Sequence, residues 1–413
     1  MYGLPKIHKE GCPIRPIISA VGTYNYKLAK YLDEILKPLL DNSKYILKDT
    51  FDFVNKIKSL STSIDKNLAS YDVQSLFTNI PTIETIEIIL NDVFKDGIEK
   101  FHNFNRKQLK KLLIVCTQES HFQFNGEFYD QIDGVAMGSP LGPLFANIFM
   151  KHFEEKNMKK LEKLGLIKYF RYVDDIFATV GCRKDAERIL DFLNKQHPNI
   201  KFTIEYEKDN QLPFLDTIVK GKYITTVYRK KTFTGVYLNW TSLTARKYKI
   251  GLIKGLVNRI CRICTTEQDR SLEINKLKYI LILNEYPKEE VDKVIEDELK
   301  KDGTKEKDEK EIKRYIVLPY VGPKSDEFSD KLKDLITSNF PQIDFNVAYQ
   351  TPQTISSFFS FKDKVKDAQA QSLVVYKMKC ETCNAEYICK TERILHHRVK
   401  EHRTGKTSSC CNN

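Results

Sequence analysis

The sequence predicts an α+β fold in which antiparallel hairpins alternate with helices. Three observations carry that expectation. Phe122, Phe124 and Phe128 alternate around Asn125-Gly126, a strong two-residue hairpin signal. Residues 168–180 read as a second hairpin with aromatic flanks and Val173-Asp174-Asp175 at its tip. Helical periodicity stands between them, with Ile83, Ile86, Leu90 and Val93 on one face. The 413 residues are 41% hydrophobic and 11% aromatic, enough for two or three packed domains and too apolar for a wholly disordered chain.

The elements follow in order. Met1 to about Lys37 opens with turn-rich sequence, passes through Pro13-Ile14-Arg15-Pro16-Ile17-Ile18 and becomes helical. With no leader, cap or polar start, the chain is expected to begin mid-domain. Leu68 to Val73 reads as a strand carrying Asp72 at its end, and Thr82 as the N-cap of the next helix. A glycine-punctuated loop, Gly134 to Pro140, precedes an apolar helix over about 144–156. Residues 183–196 form an amphipathic helix, and strand-like segments run over 200–228.

Charge then organises the chain. Lys and Arg total 67 against 55 Asp and Glu, a net charge of +12, which points to a polyanion such as nucleic acid. Thirty per cent of residues are charged, and no apolar run approaches the ~18–20 residues that span a bilayer, so no membrane partner is expected. Between Tyr228 and Arg262 stand nine basic residues, among them Arg229, Lys230, Lys231, Arg246, Lys247 and Lys249, and no acidic one. Phe233, Tyr237, Trp240 and Tyr248 are interleaved with them, as base-stacking groups or as core. Residues 288–314 are twenty parts charged in twenty-seven, which reads as a solvated helix or linker. Ten cysteines without a secretory signal are read as reduced thiols, Cys261 and Cys264 among them as structural ones.

Asp72 on one strand and Asp174 with Asp175 on a distant hairpin tip make a candidate catalytic constellation. Phosphoryl transfer needs carboxylates on separate rigid elements to hold two Mg²⁺ about 3.5–4 Å apart. An exposed Asp-Asp turn is the bland reading of the dipeptide alone.

Context favours the first. Tyr172-Val173-Asp174-Asp175 resembles the Y-x-D-D box of reverse transcriptases, and residues 70–77 resemble the motif holding their first catalytic Asp. Residues 134–141 resemble their loop ending in Ser-Pro, and Arg15-Pro16-Ile17 resembles their fingers motif. Residues 3–9, 72–81, 212–216, 227–235 and 354–362 narrow the resemblance to Penelope-like retroelements, over nearly all of residues 2–403.

That resemblance implies a right-hand polymerase copying an RNA template into DNA from a DNA primer and dNTPs, inside the cell at the nucleus. The implied domains are partial fingers and palm (1–220), thumb (221–287), charged linker (288–314), connector (315–370) and a truncated GIY-YIG endonuclease-like segment (371–413). It implies Asp72 and Asp174 as Mg²⁺ ligands with the Val73 carbonyl, and Asp175 as a secondary one. Phe77 would be the gate against ribonucleotides. Arg15 would clamp triphosphate oxygens. Gly138 would permit close approach to nucleotide, and Ser139 and Pro140 would start the next helix. Two positions depart from the pattern: Gly134-Val135 replace the loop's Gln-Gly, and Lys231 stands where Pro is favoured, predicting a looser turn. An inert, nucleic-acid-binding retroelement fragment and a telomerase-like reverse transcriptase share the same motifs.

In the last segment Tyr376, Tyr387, Arg398 and His402 resemble a GIY-YIG nuclease start. Cys389 replaces its second Gly and is expected to crowd the strand. The sequence ends at Asn413, before that family's metal-binding Glu, so no strand cleavage is expected. Cys380, Cys383 and His397 have spacing suited to Zn²⁺, with the role of His402 left open.

Overall fold

A computed structural model describes residues 2–7, 11–41, 43–60, 67–118, 121–124, 126–300, 312–350, 367–372, 374–379 and 386–404. The first part runs β1 (Tyr2–Pro5), β2 (Ile14–Ile17), α1 (Tyr26–Leu36), α2 (Thr50–Lys58), β3 (Asn67–Val73), α3 (Leu76–Asn79), α4 (Thr82–Val93) and α5 (Arg106–Thr117). It continues with β4 (His121–Phe124), β5 (Glu127–Asp130), α6 (Leu141–Lys163), β6 (Leu166–Tyr172), β7 (Asp175–Val180), α7 (Arg183–Leu193) and β8 (Phe202–Tyr206). Strands β9 (Gln211–Phe214), β10 (Thr217–Lys220) and β11 (Ile224–Val227) close it as a small antiparallel sheet.

The centre is a four-stranded antiparallel sheet in the order β6-β7-β3-β8. Side chains alternate across it with period two. One face presents Ala69, Tyr71 and Val73 beside Ile176, Ala178 and Val180, all buried against α1, α4, α5, α6 and α7. Within that core burial pushes the Cys116 thiol up to about 12, so it behaves as a small apolar group. The opposite face begins with Leu68 and Phe177, buried under Phe53 of α2 and Phe214 of β9. The Phe53 ring centroid lies 5.0 Å from that of Phe177 and 4.7 Å from that of Phe214. Two residues further along β3, the same face leaves this core and presents Ser70 and then Asp72 to a cleft.

Local expectations are adjusted at two elements and met at a third. Thr82 is the first helical residue of α4 rather than its cap, and Ile83 is exposed while Ile86, Leu90 and Val93 are buried. The helix expected over 144–156 is α6, which starts three residues earlier behind Pro140 and ends at Lys163. In the β4–β5 hairpin, register pairs Phe124 with Glu127 across the two-residue turn, and Gly126 takes φ +81°.

A helical module follows: α8 (Arg246–Ile263), α9 (Glu267–Leu283) and α10 (Lys288–Leu299). Its core takes Ile253, Val257 and Ile260 from α8, Ile274, Leu277 and Leu281 from α9, and Val291, Val294 and Ile295 from α10. The expectation of a linker from Lys288 is therefore corrected over α10. Three apolar residues at i, i+3 and i+4 bury it despite the charge around them.

Beyond residue 311, β12 (Ile312–Pro319) pairs in parallel with β13 (Ile343–Gln350), joined by α11 (Pro323–Asn339). Last come β14 (Val374–Lys379), β15 (Glu386–Thr391) and α12 (Leu395–Thr404). Among the described residues no helix is long and apolar enough to cross a membrane.

Candidate active site

Pairing of β3 with β7 sets Asp72 opposite Asp175. The β6–β7 turn holds Val173 and Asp174, with Val173 at φ +55°, a left-handed conformation that β-branched residues resist. The Val73 amide donates to the Asp174 carbonyl at 3.0 Å, so the tip is fastened to the end of β3. All three expected carboxylates thus converge at one end of the central strands β3 and β7, each half-buried. They line a cleft of about 490 Å³ whose cations are Arg15 from β2 and Lys230. Both cations are exposed.

Sequence reasoning missed part of this lining. Thr203 of β8 pairs with Asp72, and Glu205 pairs with Ser70, so period two brings a fourth carboxyl to the same face. It also missed what lies beneath the tip. Arg171, on the opposite face of β6, is fully buried and bonds both Glu154 oxygens, with Nε to Oε1 at 2.5 Å. Burial pulls the Arg171 guanidinium down, but adjacent Glu154 more than offsets this and holds it above its ordinary value. No short-range signal marks this pair, whose members sit seventeen residues apart on different elements.

Phe77, Gly138, Ser139 and Pro140 lie outside the cleft lining and form a packed unit beside it. The Val135 amide donates to the Phe77 carbonyl at 2.7 Å. Gly134 makes that approach possible: at φ +71°, a Cβ there would stand 2.5 Å from the same carbonyl oxygen. The close approach expected at Gly138 is made to this chain's own backbone, since a Cβ would meet the Ile18 carbonyl at 2.3 Å. The Ser139 carbonyl accepts from the Gly142 amide at 3.1 Å, and Pro140 stands at the N-cap of α6. The Phe77 ring rests over Gly142, 3.4 Å from where a Cβ would be.

The basic stretch is divided by the fold. Arg229 pairs with the buried carboxylate of Glu273, and Arg246 reaches Glu290 at 2.6 Å. Lys247 donates to the Val347 carbonyl at 2.5 Å and lies 4.1 Å from the Tyr349 ring centre. Arg259 pairs with Asp216 at 3.4 Å, and Arg262 lies 3.5 Å above the Phe51 ring. Lys249 departs from the expected polyanion contact: it is buried, and its ammonium donates to the Trp240 and Ser242 carbonyls. Trp240 packs against Tyr286 at 5.1 Å as part of the core, and the Tyr248 hydroxyl accepts from the Tyr349 amide at 2.9 Å. Lys230 and Lys231 are exposed and have no ion-pair partner among the described residues. The Phe233 amide bonds the Lys230 carbonyl at 2.9 Å, so the turn expected to be loose at Lys231 is closed.

The four nuclease-like residues also converge. The Tyr376 hydroxyl lies 2.8 Å from His402 Nε2 and accepts from Arg398 Nε at 3.3 Å. The Tyr387 and His402 rings are 5.7 Å apart. Burial raises the Tyr376 hydroxyl above its ordinary value, and a hydrogen bond from Tyr387 lowers the Cys389 thiol. Cys389 pairs with Tyr376 in unbroken register, so the expected crowding does not disturb the strand. His397 is exposed, and Cys380 and Cys383 lie outside the described residues.

Carboxylates gathered at one end of the central sheet, facing cations across a cleft, suit phosphoryl-transfer chemistry. The chain belongs to the reverse transcriptase (RNA-dependent DNA polymerase) family, whose model matches residues 7–238, more than half of it. Residues 236–296, which hold α8 to α10, match an animal helix-turn-helix domain. No curated protein matches the chain. Among solved structures it resembles apo telomerase from Candida tropicalis truncated from its C-terminal domain, at 13% identity over 50% of this chain and 46% of that one, TM-score 0.40. Telomerase from Candida albicans with a TWJ fragment of telomeric RNA gives 9% identity over 66% and 55%, TM-score 0.44. The BmCPV RNA-dependent RNA polymerase at its elongation state gives 12% identity over 66% and 25%, TM-score 0.43. The chain spans about half the length of the telomerase chains it matches.

Proposed function

We propose that this protein is an RNA-directed DNA polymerase of the Penelope-like retroelement type, extending a DNA primer on an RNA template at a nuclear site of action. The observation that carries the reading is the meeting of Asp72, Asp174 and Asp175 at one end of the central sheet, opposite Arg15, within a reverse transcriptase domain. In this reading the sheet domain is the palm, β1–β2 belongs to the fingers and the helical module is the thumb.

The donor set suits Mg²⁺. Among the described residues no three His, Cys, Asp or Glu side chains form a ready cage. Mg²⁺ does not require one, because it keeps several waters and takes one or two carboxylates plus substrate phosphates. Asp72 and Asp174 would hold two ions with the Val73 carbonyl, and Asp175 would assist. The ions supply a more acidic primer hydroxyl and charge neutralisation at the leaving pyrophosphate. Arg15 binds triphosphate oxygens through its planar fork. Phe77, seated over Gly142, excludes a 2′-hydroxyl. Lys230 and Lys231 contact the duplex backbone.

The test is incorporation of dNTPs on a primed RNA template with Mg²⁺, beside Asp174→Ala. Incorporation by the wild type that the variant loses supports the reading. Salt-sensitive nucleic-acid binding without incorporation overturns the enzyme and leaves a binding remnant.

The meeting of Tyr376, Tyr387, Arg398 and His402 supports reading the last segment as GIY-YIG-like, without a claim of cleavage. Zn²⁺ at Cys380, Cys383 and His397 is part of this proposal. Elemental analysis before and after Cys383→Ser tests it, and equal zinc in both removes the site.

A further inference from the structure

Asp174 sits in a turn whose shape needs an explanation. The strands leave only Val173 and Asp174 between them, and Val173 is held at φ +55°. A β-branched residue keeps such a conformation only where its surroundings determine it. The Asp174 carbonyl is held by the Val73 amide, from the side of β3. The Val173 carbonyl accepts from an Arg171 terminal nitrogen at 3.0 Å, from below the sheet. That same nitrogen bonds Asn147 Oδ1 at 2.8 Å, and the other guanidinium nitrogens bond Glu154. The Tyr169 hydroxyl donates to Glu154 at 2.8 Å and completes the network. Asn147 and Glu154 both lie on α6, so the guanidinium ties the tip to the longest helix of the described domain. The Arg171 main chain is fixed as well, its amide on the Tyr45 carbonyl and its carbonyl on the Leu47 amide, both at 2.7 Å.

We infer that Arg171 is a positioning residue for Asp174: by holding the Val173 carbonyl it fixes the tip, and with it the spacing of the Asp174 and Asp72 carboxylates that sets divalent-cation affinity. The inference rests on reading those two residues as cation ligands. Arg171 touches neither cation nor substrate; it acts through the turn. Lysine keeps a charge beside Glu154, but one nitrogen lacks the fork that reaches Glu154, Asn147 and Val173 together.

The experiment titrates the full chain with Mn²⁺, read by the paramagnetic resonance of the free ion, with Asp174→Ala defining the site. Arg171→Lys is expected to bind Mn²⁺ there about 10-fold or more weaker, the usual effect of losing a group that orients a ligand. Cooperative melting is retained, and the Mg²⁺ needed for half-maximal primer extension rises by the same factor. Should Arg171→Lys fail to fold, Asn147→Ala leaves the Glu154 pair intact and is expected to weaken Mn²⁺ in the same direction. A folded variant of either kind with wild-type Mn²⁺ affinity overturns the inference, because a purely structural role moves only the melting. Absence of any Asp174-dependent Mn²⁺ site also overturns it. Wild-type Mn²⁺ binding through Asp174, weakened by Arg171→Lys but without primer extension, overturns the polymerase reading and leaves the inference standing.

Discussion

In the sheet domain, Asp72, Asp174 and Asp175 crowd one end of the central strands and, with Glu205, face Arg15 and Lys230 across a cleft. The stretch from Tyr228 to Arg262 is rich in cations and has no acid of its own, yet many of its cations are matched from outside the stretch. Glu273 and Glu290 come from 44 residues away, and Asp216 from the neighbouring sheet. The difference is one of geometry. The carboxylates at the ends of β3 and β7 open onto one shared cleft, so they stay concentrated where a ligand can reach them. A helix carries its cations around its whole circumference, and each neighbour it packs against meets some of them. Arg229, Lys247, Arg259 and Arg262 therefore act as struts between modules and Arg246 ties α8 to α10, while Lys230 and Lys231 remain available to a polyanion. Clustered charge in a sequence marks a candidate site only where the fold gathers it along a cleft.

The largest expected effect lies on the cleft side of this comparison. Asp72→Asn removes one proposed cation ligand while keeping shape, and extension should fall at least about 10³-fold, as several kcal/mol of transition-state stabilisation is lost. Melting should stay within about 2 °C, since the residue stands outside the core. Wild-type extension by the variant would mean that the carboxylate edge is not catalytic.

On the strut side, Glu273→Ala should destabilise the protein by about 3 kcal/mol, because it strands Arg229 beside a buried site. The shift in urea midpoint measures it. A change below about 0.5 kcal/mol would place Arg229 among the solvated cations.

How much of this was legible follows from the range of each signal. The β4–β5 and β6–β7 hairpins were readable because turn residues and alternation act within a dozen residues. Asp72 and Asp174, far apart in sequence, were joined only through motif resemblance, although their chemistry alone suggested a pair. Glu205 was missed because it reaches the cleft through strand register, which local sequence does not encode. Arg171 and Glu154 were missed because a buried ion pair looks like two ordinary surface charges until the fold joins them. In α10, Val291, Val294 and Ile295 were masked by the charge that surrounds them. Lys249 looked like one more duplex contact, and only packing shows its ammonium capped by carbonyls.

Lys249 also lets the two uses of charge be separated within one stretch. Alanine at Lys230 and Lys231 together should lower the slope of log affinity against log salt by about two and leave stability unchanged. Lys249→Ala should leave that slope alone and cost about 1–3 kcal/mol, because two partly buried carbonyls lose their donor. Filter binding across a salt series and urea unfolding read the two effects, and a reduced slope for Lys249→Ala would return it to the duplex surface.

The smallest effect tests a strut by acid. Lys220 of β10 reaches Asp269 of α9 at 2.6 Å, and the Asp269 side chain is mostly buried. Burial raises its pKa, but hydrogen bonds from Lys220 and Thr266 prevail and hold the carboxyl below its ordinary value. A carboxyl lowered by folding stabilises the folded state above its unfolded pKa, near 3.9, and loses that contribution as pH falls through the lower folded value. The strut should therefore be fully present at neutral pH and released only below about pH 4. Asp269→Asn should cost about 0.2–1 kcal/mol at pH 7 and flatten the stability profile below about pH 4. The acidic cleft gives the opposite expectation: filling it with divalent cation should stabilise the wild type by mass action, and Asp174→Ala should lose that gain while Asp269→Asn keeps it. Melting curves with and without Mn²⁺ make the comparison directly, and a cation effect lost equally in both variants would mean that cleft and strut are not independent.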